Sequence, residues 1–206
     1  MIIKKVIDFD MDQNCYIVSE DGENCIVIDP GCGYEKIVKE LKESSFTVLK
    51  ILLTHCHYDH MAGAERLKKA TGAKIVSGKK CRENIKNTII NVSKMFGDEL
   101  VGADVDEVVS DNEKFEIGGM KIKCIETPGH TDCSVCYLIE DCLFTGDTLF
   151  LRTTGRWDLP TGNYEMLENS LKEKLYKLDD DIKVYPGHGN PTSIGYEKKF
   201  NMSISE

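Results

Sequence analysis

The residues able to do chemistry are concentrated in a few places. The chain has only five histidines, three of them within six positions, as His55, His57 and His60 in Thr54-His55-Cys56-His57-Tyr58-Asp59-His60. The other two close Pro-Gly turns, His130 in Thr127-Pro128-Gly129-His130 and His188 in Tyr185-Pro186-Gly187-His188. Neutral imidazole and carboxylate are the ligands that borderline divalent cations prefer. Asp59 within the cluster and Asp147, just past the apolar run Cys142 to Phe144, supply the carboxylates. A lone histidine is ordinarily a surface or hydrogen-bonded core residue. Here every histidine stands shortly past an apolar run with a Gly or Asp within four positions, and that conjunction predicts a metal site.

The elements that must position these side chains can be read from periodicity. Val48 to Leu53 is nearly all apolar, as in a buried strand, and His55 and His57 lie just past its end, where alternate side chains project the same way. The helical pattern resumes at about Ala62, so Asp59 and His60 fall at a loop-to-helix junction and can serve a neighbouring position. Further strand-like runs are Cys15 to Val18, Cys25 to Asp29, Lys74 to Val76, Met120 to Ile125, Ser134 to Ile139, Cys142 to Phe144 and Ile182 to Tyr185. Three stripes have helical spacing: Ile37, Val38 and Leu41; Ile85, Ile89, Val92 and Phe96; Leu167, Leu171, Leu175 and Leu178. No Pro- or Ser-rich linker interrupts them, which predicts one continuous domain over residues 1–206 with mixed strands and helices and a site built at strand ends.

Composition narrows the function. With 206 residues, 41% hydrophobic and 30% charged, the chain has the balance of a soluble globular protein. It contains no apolar run of about 18 residues, and Met1 to Gln13 lacks a signal-peptide pattern, so a cytoplasmic location without a membrane partner is expected. A formal charge of -9 repels phosphate backbones and makes nucleic acid a poor partner. Nine cysteines, an odd number, read as reduced thiols. Cys133-Ser134-Val135-Cys136 has redox or zinc spacing, but without a second pair it reads as structural thiols.

The spacing His55-x-His57-x-Asp59-His60, followed by His130, Asp147 and His188, resembles the signature of the metallo-beta-lactamase superfamily. Asp29-Pro30-Gly31 near the start and the stretch from Pro191 to Asn201 resemble its small glyoxalase II-like branch, as does Gly155-Arg156-Trp157-Asp158, which fits a Gly-Arg-x-Asp pattern. The resemblance implies an α/β (α+β) fold, a four-layer αββα sandwich of two mixed sheets flanked by helices. It also implies that His55, His57 and His130 hold one metal, that Asp59, His60 and His188 hold a second, and that Asp147 bridges them. The cofactors expected are therefore two divalent ions, zinc first, with iron or manganese as alternatives.

Two such ions lower the pKa of a shared water and polarise a carbonyl. The expected reaction is hydrolysis of a small acyl-thiol or related ester, because a leaving thiolate with a conjugate acid of pKa about 8.5 needs no dedicated general acid. A mono-iron persulfide dioxygenase, using His55, His130 and Asp147, and a lactonase are the competing enzymes within the superfamily. Tyr58 either faces the groove as a donor to a substrate oxygen or packs beneath the metal loop. Arg156 and Asp158 orient substrate or brace the ligands, bracing being the better reading, and Trp157 is a pocket wall or core filler.

Overall fold

The computed structural model describes residues 1–8 and 10–204. The chain first lays down a mixed six-stranded sheet from β1 (Ile2–Asp8), β2 (Gln13–Ser19), β3 (Asn24–Ile28), β4 (Thr47–Leu53), β5 (Lys74–Gly78) and β6 (Glu107–Val109), in that order. The first three strands pair antiparallel, and β3 to β6 run parallel. It then builds a second sheet from β7 (Lys114–Ile117), β8 (Met120–Glu126), β9 (Val135–Ile139) and β10 (Cys142–Gly146). A short ribbon, β11 (Leu149–Phe150) with β12 (Thr153–Thr154), interrupts before β13 (Lys183–Pro186) and β14 (Thr192–Ser193) complete it. The order in this sheet is β14-β13-β10-β9-β8-β7, with β10 and β13 parallel and the other pairs antiparallel.

Strand alternation sorts the side chains into three apolar layers. In β2 to β4, Tyr16, Val18, Ile26, Ile28 and Leu52 point one way and meet Ile122, Cys124, Tyr137, Ile139 and Phe144 of the second sheet. Their neighbours Ile17, Val27, Ile51 and Leu53 point the other way, onto Ile37 and Leu41 of α1 (Tyr34–Glu43) and, past the one-turn α2 (Tyr58–Met61), onto Leu67 of α3 (Ala64–Thr71) and Cys81 of α4 (Lys79–Asn84). On the far side of the second sheet, Cys136, Leu143 and Val184 pack on Leu167 of α5 (Tyr164–Asn169), on Leu171 and Leu175 beyond it, and on Ile194 of α6 (Ile194–Phe200). The result is the four-layer αββα sandwich that the family resemblance implies. Among the described residues no helix is long and apolar enough to cross a membrane.

One expected helix does not form. The stripe Ile85, Ile89, Val92 and Phe96 is broken into turns and a short 3-10 segment, Ser93–Phe96, with Ile89 and Phe96 exposed. Asparagine chemistry is the reason. Asn87 Oδ1 accepts from the Ile89 amide, while the buried Asn91 side chain donates to the carbonyls of Ile85 and Leu100 and accepts from the Ser93 amide. These bonds take up backbone groups that a helix would use, and Val92 adopts a left-handed backbone (φ 57°) at the break. Strands β1, β6 and β7 lie at sheet edges, where Lys, Glu and Asp mix with the apolar positions and leave no clear apolar run in the sequence.

Candidate metal centre

All seven side chains singled out from the sequence meet at one edge of the sandwich. His55 and His57 follow the end of β4, Asp59 and His60 sit on α2, His130 lies between β8 and β9, Asp147 follows β10, and His188 follows β13. Parallel strands β4, β10 and β13 thus deliver their C-terminal ends to the same place. The approach is close enough to require glycine. A Cβ on Gly187 would collide with Asp147 Oδ1 and His60 Cε1, and one on Gly146 (φ 47°) would collide with the Thr54 hydroxyl. The two sheets are tied together here, since the Asn14 amide donates to Gly187 O at 2.7 Å and the Tyr16 hydroxyl to Pro186 O at 2.7 Å.

Ligand-capable atoms of His55, His57 and His130 lie within 4.8 Å of one another, as do those of Asp59, His60 and His188. Asp147 lies between the groups, with Oδ1 3.2 Å from His60 Nε2 and Oδ2 3.5 Å from His130 Nε2 and 3.6 Å from His188 Nε2. A third grouping, Asp29 with His55 and His60, also falls within that distance. Asp29 is a scaffold in it: Oδ1 accepts from the Thr54 amide at 2.8 Å, and Oδ2 from the Thr54 hydroxyl at 2.6 Å and from His60 Nδ1 at 2.9 Å.

These outer bonds set the tautomers. The Thr54 proton goes to Asp29, so His55 Nδ1 donates to Thr54 Oγ1 at 3.0 Å and its Nε2 keeps a lone pair. His130 Nδ1 donates to Arg156 O at 2.6 Å, and His188 Nδ1 to Asp12 O at 2.8 Å. Four histidines therefore aim Nε2 inward, each held through its other nitrogen as metal-ligating histidines are. His55 Nε2, His57 Nε2, His60 Nε2 and Asp147 Oδ1 are buried without a hydrogen-bond partner, and His130 Nε2 lies 2.9 Å from His57 Nδ1. Buried polar atoms without partners are costly. A cation at the centre satisfies His55 Nε2, His60 Nε2 and Asp147 Oδ1, and the mixed nitrogen and oxygen donor set fits a borderline divalent ion.

Electrostatics divides the cluster. Burial, then the neighbouring His60, His57 and His130, holds His55 well below the usual imidazole range, and burial followed by His130 pushes His57 down to about 3. Both are neutral donors at pH 7. Burial would also depress His60, but Asp147 and Asp59, with the bond to Asp29, outweigh it and raise its proton affinity well above normal. Burial would raise Asp147, yet His60, His188 and His130 hold it well below the carboxylate range. The acidic half of the cluster thus calls for positive charge, from a proton or from a metal.

The centre floors a groove of about 330 Å3 bounded by Met11, Val92, Met95, Phe96, Phe150 and Leu159. Tyr58 is not in its lining. Its hydroxyl donates to Asp98 Oδ2 at 3.2 Å, and it borders a separate cavity with Cys32 and Arg66 behind the metal loop. Arg156 does line the groove, but its guanidinium is held by both oxygens of Asp158 at 2.7 and 2.8 Å, and its carbonyl fixes His130. Trp157 is neither groove wall nor core filler; it is half exposed and meets Tyr164 edge-on. Cys133 and Cys136 diverge, Cys133 toward Cys56 at 3.6 Å and Cys136 toward Thr127. Asp29 is the residue that motif spacing by itself undervalued, its signal being the Asp-Pro-Gly turn at the end of β3.

The fold and this constellation define a metal-centre protein of the αββα class. The family model for the metallo-beta-lactamase superfamily matches residues 9–188, and the chain belongs to that superfamily. It is 32% identical over 197 residues to the hydroxyacylglutathione hydrolase GloC of Haemophilus influenzae, covering 94% of this chain and 93% of that one. Among solved structures it is similar to the BLEG-1 B3 metallo-beta-lactamase, with TM-score 0.93, 30% identity and 98% of each chain covered. It is also similar to TTHA1623 in a di-iron-bound form, with TM-score 0.84, 26% identity and 97% and 98% covered.

Proposed function

We propose that this protein is a binuclear metal-dependent hydrolase acting on a small acyl-thiol or related ester, of the kind named for its relative GloC. The observation that carries the reading is the set of buried donors without partners, His55 Nε2, His60 Nε2 and Asp147 Oδ1, gathered at one groove floor. His55, His57 and His130 would hold one ion, Asp59, His60 and His188 a second, and Asp147 both. Zinc suits the donor set, as do iron and manganese. When bound, such ions supply an activated water and electrophilic assistance to a carbonyl.

The chain's own residues do the rest. Thr54, Asp29, Arg156 O and Asp12 O fix the imidazoles, so little reorganisation accompanies reaction. Asp59 stands at the groove floor with Oδ2 3.1 Å from His188 Nε2, placed to orient an incoming water. Arg156 braces His130 through its carbonyl, with Asp158 holding the guanidinium side. No serine or cysteine nucleophile is needed, and Cys56, fully buried behind His55 and His57, does not reach the groove.

The test is metal content by elemental analysis of protein purified without chelator, together with hydrolysis of thioesters and lactones. About two equivalents per chain and thioester cleavage are expected. One equivalent of iron with oxygen uptake on a persulfide substrate would replace the hydrolase with a dioxygenase.

A further inference from the structure

We propose that segment 91–98 is the substrate-selecting wall of the groove, and that the group flanking the scissile carbonyl is apolar, aliphatic or aryl, rather than charged. This rests on the hydrolase reading above. The segment contributes Val92, Met95 and Phe96 to the groove lining, which they share with Phe150 and Leu159 and with the polar His57, Asp59, His130, Asp147 and His188. Met95 and Phe96 are 66% and 55% exposed, although neither lies in a long surface loop free of contacts. Apolar side chains left open beside a polar floor gain when a ligand covers them. Away from the metal centre itself the lining offers little to an anionic substituent, because among the described residues its one cationic side chain besides the histidines, Arg156, is already bidentate with Asp158.

The wall is registered to the metal motif through Tyr58. The Tyr58 amide donates to Asn91 O at 2.8 Å, its ring stacks on Phe96 with centroids 5.8 Å apart and planes 21° from parallel, and its hydroxyl donates to Asp98. Tyr58 stands between His57 and Asp59, so three ties fix the wall relative to the ligands themselves. Val92 is β-branched and left-handed at φ 57°, a conformation that persists only where its surroundings over-determine it. The buried Asn91 side chain, with bonds of 2.9 Å to Ile85 O, Leu100 O and the Ser93 amide, supplies that constraint. Tyr58 is thus a positioning residue for specificity, which accounts for its turning away from the groove.

The experiment uses the zinc-loaded 206-residue chain and N-acetylcysteamine thioesters bearing acetyl, hexanoyl, phenylacetyl and succinyl groups. The kcat/KM should rise from acetyl to hexanoyl and phenylacetyl, with succinyl below hexanoyl. Met95→Ala should cut the hexanoyl-to-acetyl ratio about tenfold, mainly through KM, as expected for losing contact with a few methylenes, and Met95→Leu should restore it. In parallel, calorimetry should show phenylmethanethiol binding the wild-type protein about tenfold more tightly than Met95→Ala. Thioester cleavage with no preference for apolar acyl groups, or with a ratio unmoved by Met95→Ala, overturns the wall and leaves the hydrolase standing. Absence of cleavage with the calorimetric difference intact overturns the hydrolase and keeps the wall.

Discussion

Asp29 Oδ2 accepts a hydrogen bond from His60 Nδ1 at 2.9 Å, although 31 positions separate the two residues, and both are buried. The same carboxylate takes the amide and hydroxyl of Thr54, whose oxygen in turn receives His55 Nδ1. One side chain at the end of β3 therefore orients a histidine from each half of the centre.

Asp29→Asn keeps the shape but puts an amide where Thr54 and His60 both need acceptors. Metal affinity should fall by about 10- to 100-fold, the usual cost of losing an outer-shell partner. Competition with a chromogenic chelator reads this directly. An unchanged affinity would show that Asp29 only supports the turn.

His55→Ala and Asp147→Ala should each abolish metal retention and hydrolysis while leaving the far-ultraviolet circular dichroism native. Tyr58→Phe should retain metal, because that hydroxyl reaches only Asp98 and the Cys32 side of the loop. Its stability loss should be about 1 kcal/mol, the net worth of one hydrogen bond. Full turnover by metal-depleted Asp147→Ala would end the proposed mechanism.

Gly187→Ala tests the close approach of the two sheets. The added methyl has no room between Asp147 Oδ1 and His60 Cε1, and both are parts of the inferred ligand set. The expected protein is folded, with metal content well below that of the wild type. A normal content, measured after exhaustive dialysis, would mean that the loop after β13 yields without cost.

Acid stability should carry a contribution from Asp106. Burial opposes its charge, but the Lys68 ammonium at 2.8 Å and the Ile75 amide at 2.8 Å win and hold its carboxyl below the ordinary range. A lowered folded-state value stabilises the protein above the unfolded carboxylate pKa of about 3.9 and is lost as pH falls through the folded value. The urea midpoint of Asp106→Ala should lie below wild type at pH 6, and the gap should narrow below about pH 4. A gap independent of pH would assign the loss to packing.

Leu171 is fully buried between the second sheet and the segment after α5, in the layer with Leu167 and Leu175. Leu171→Ala should cost about 2–5 kcal/mol, the range for a large-to-small change in a packed core. Denaturant unfolding measures it. Because Leu171 itself does not line the groove, metal content should stay at the wild-type level.

The chain's own order of residues decided much of this protein. The nearly continuous apolar runs Cys15 to Val18, Cys25 to Asp29 and Val48 to Leu53 mark the strands, and the two-sided burial of β2, β3 and β4 is why those runs are apolar on both faces. The seven His and Asp positions could be read because ligand chemistry restricts residue type and strand ends restrict spacing. Other features depend on partners far along the chain, which local pattern does not carry. The apolar spacing of Ile85, Ile89, Val92 and Phe96 reads as a helix until Asn87 and Asn91 capture its backbone groups and Tyr58 ties it to the groove rim. Cys133 and Cys136 have motif spacing, but strand geometry sends one thiol into each of two separate layers. Which nitrogen of His55, His60, His130 and His188 faces inward was decided only in three dimensions, where Thr54, Asp29, Arg156 O and Asp12 O claim the other one.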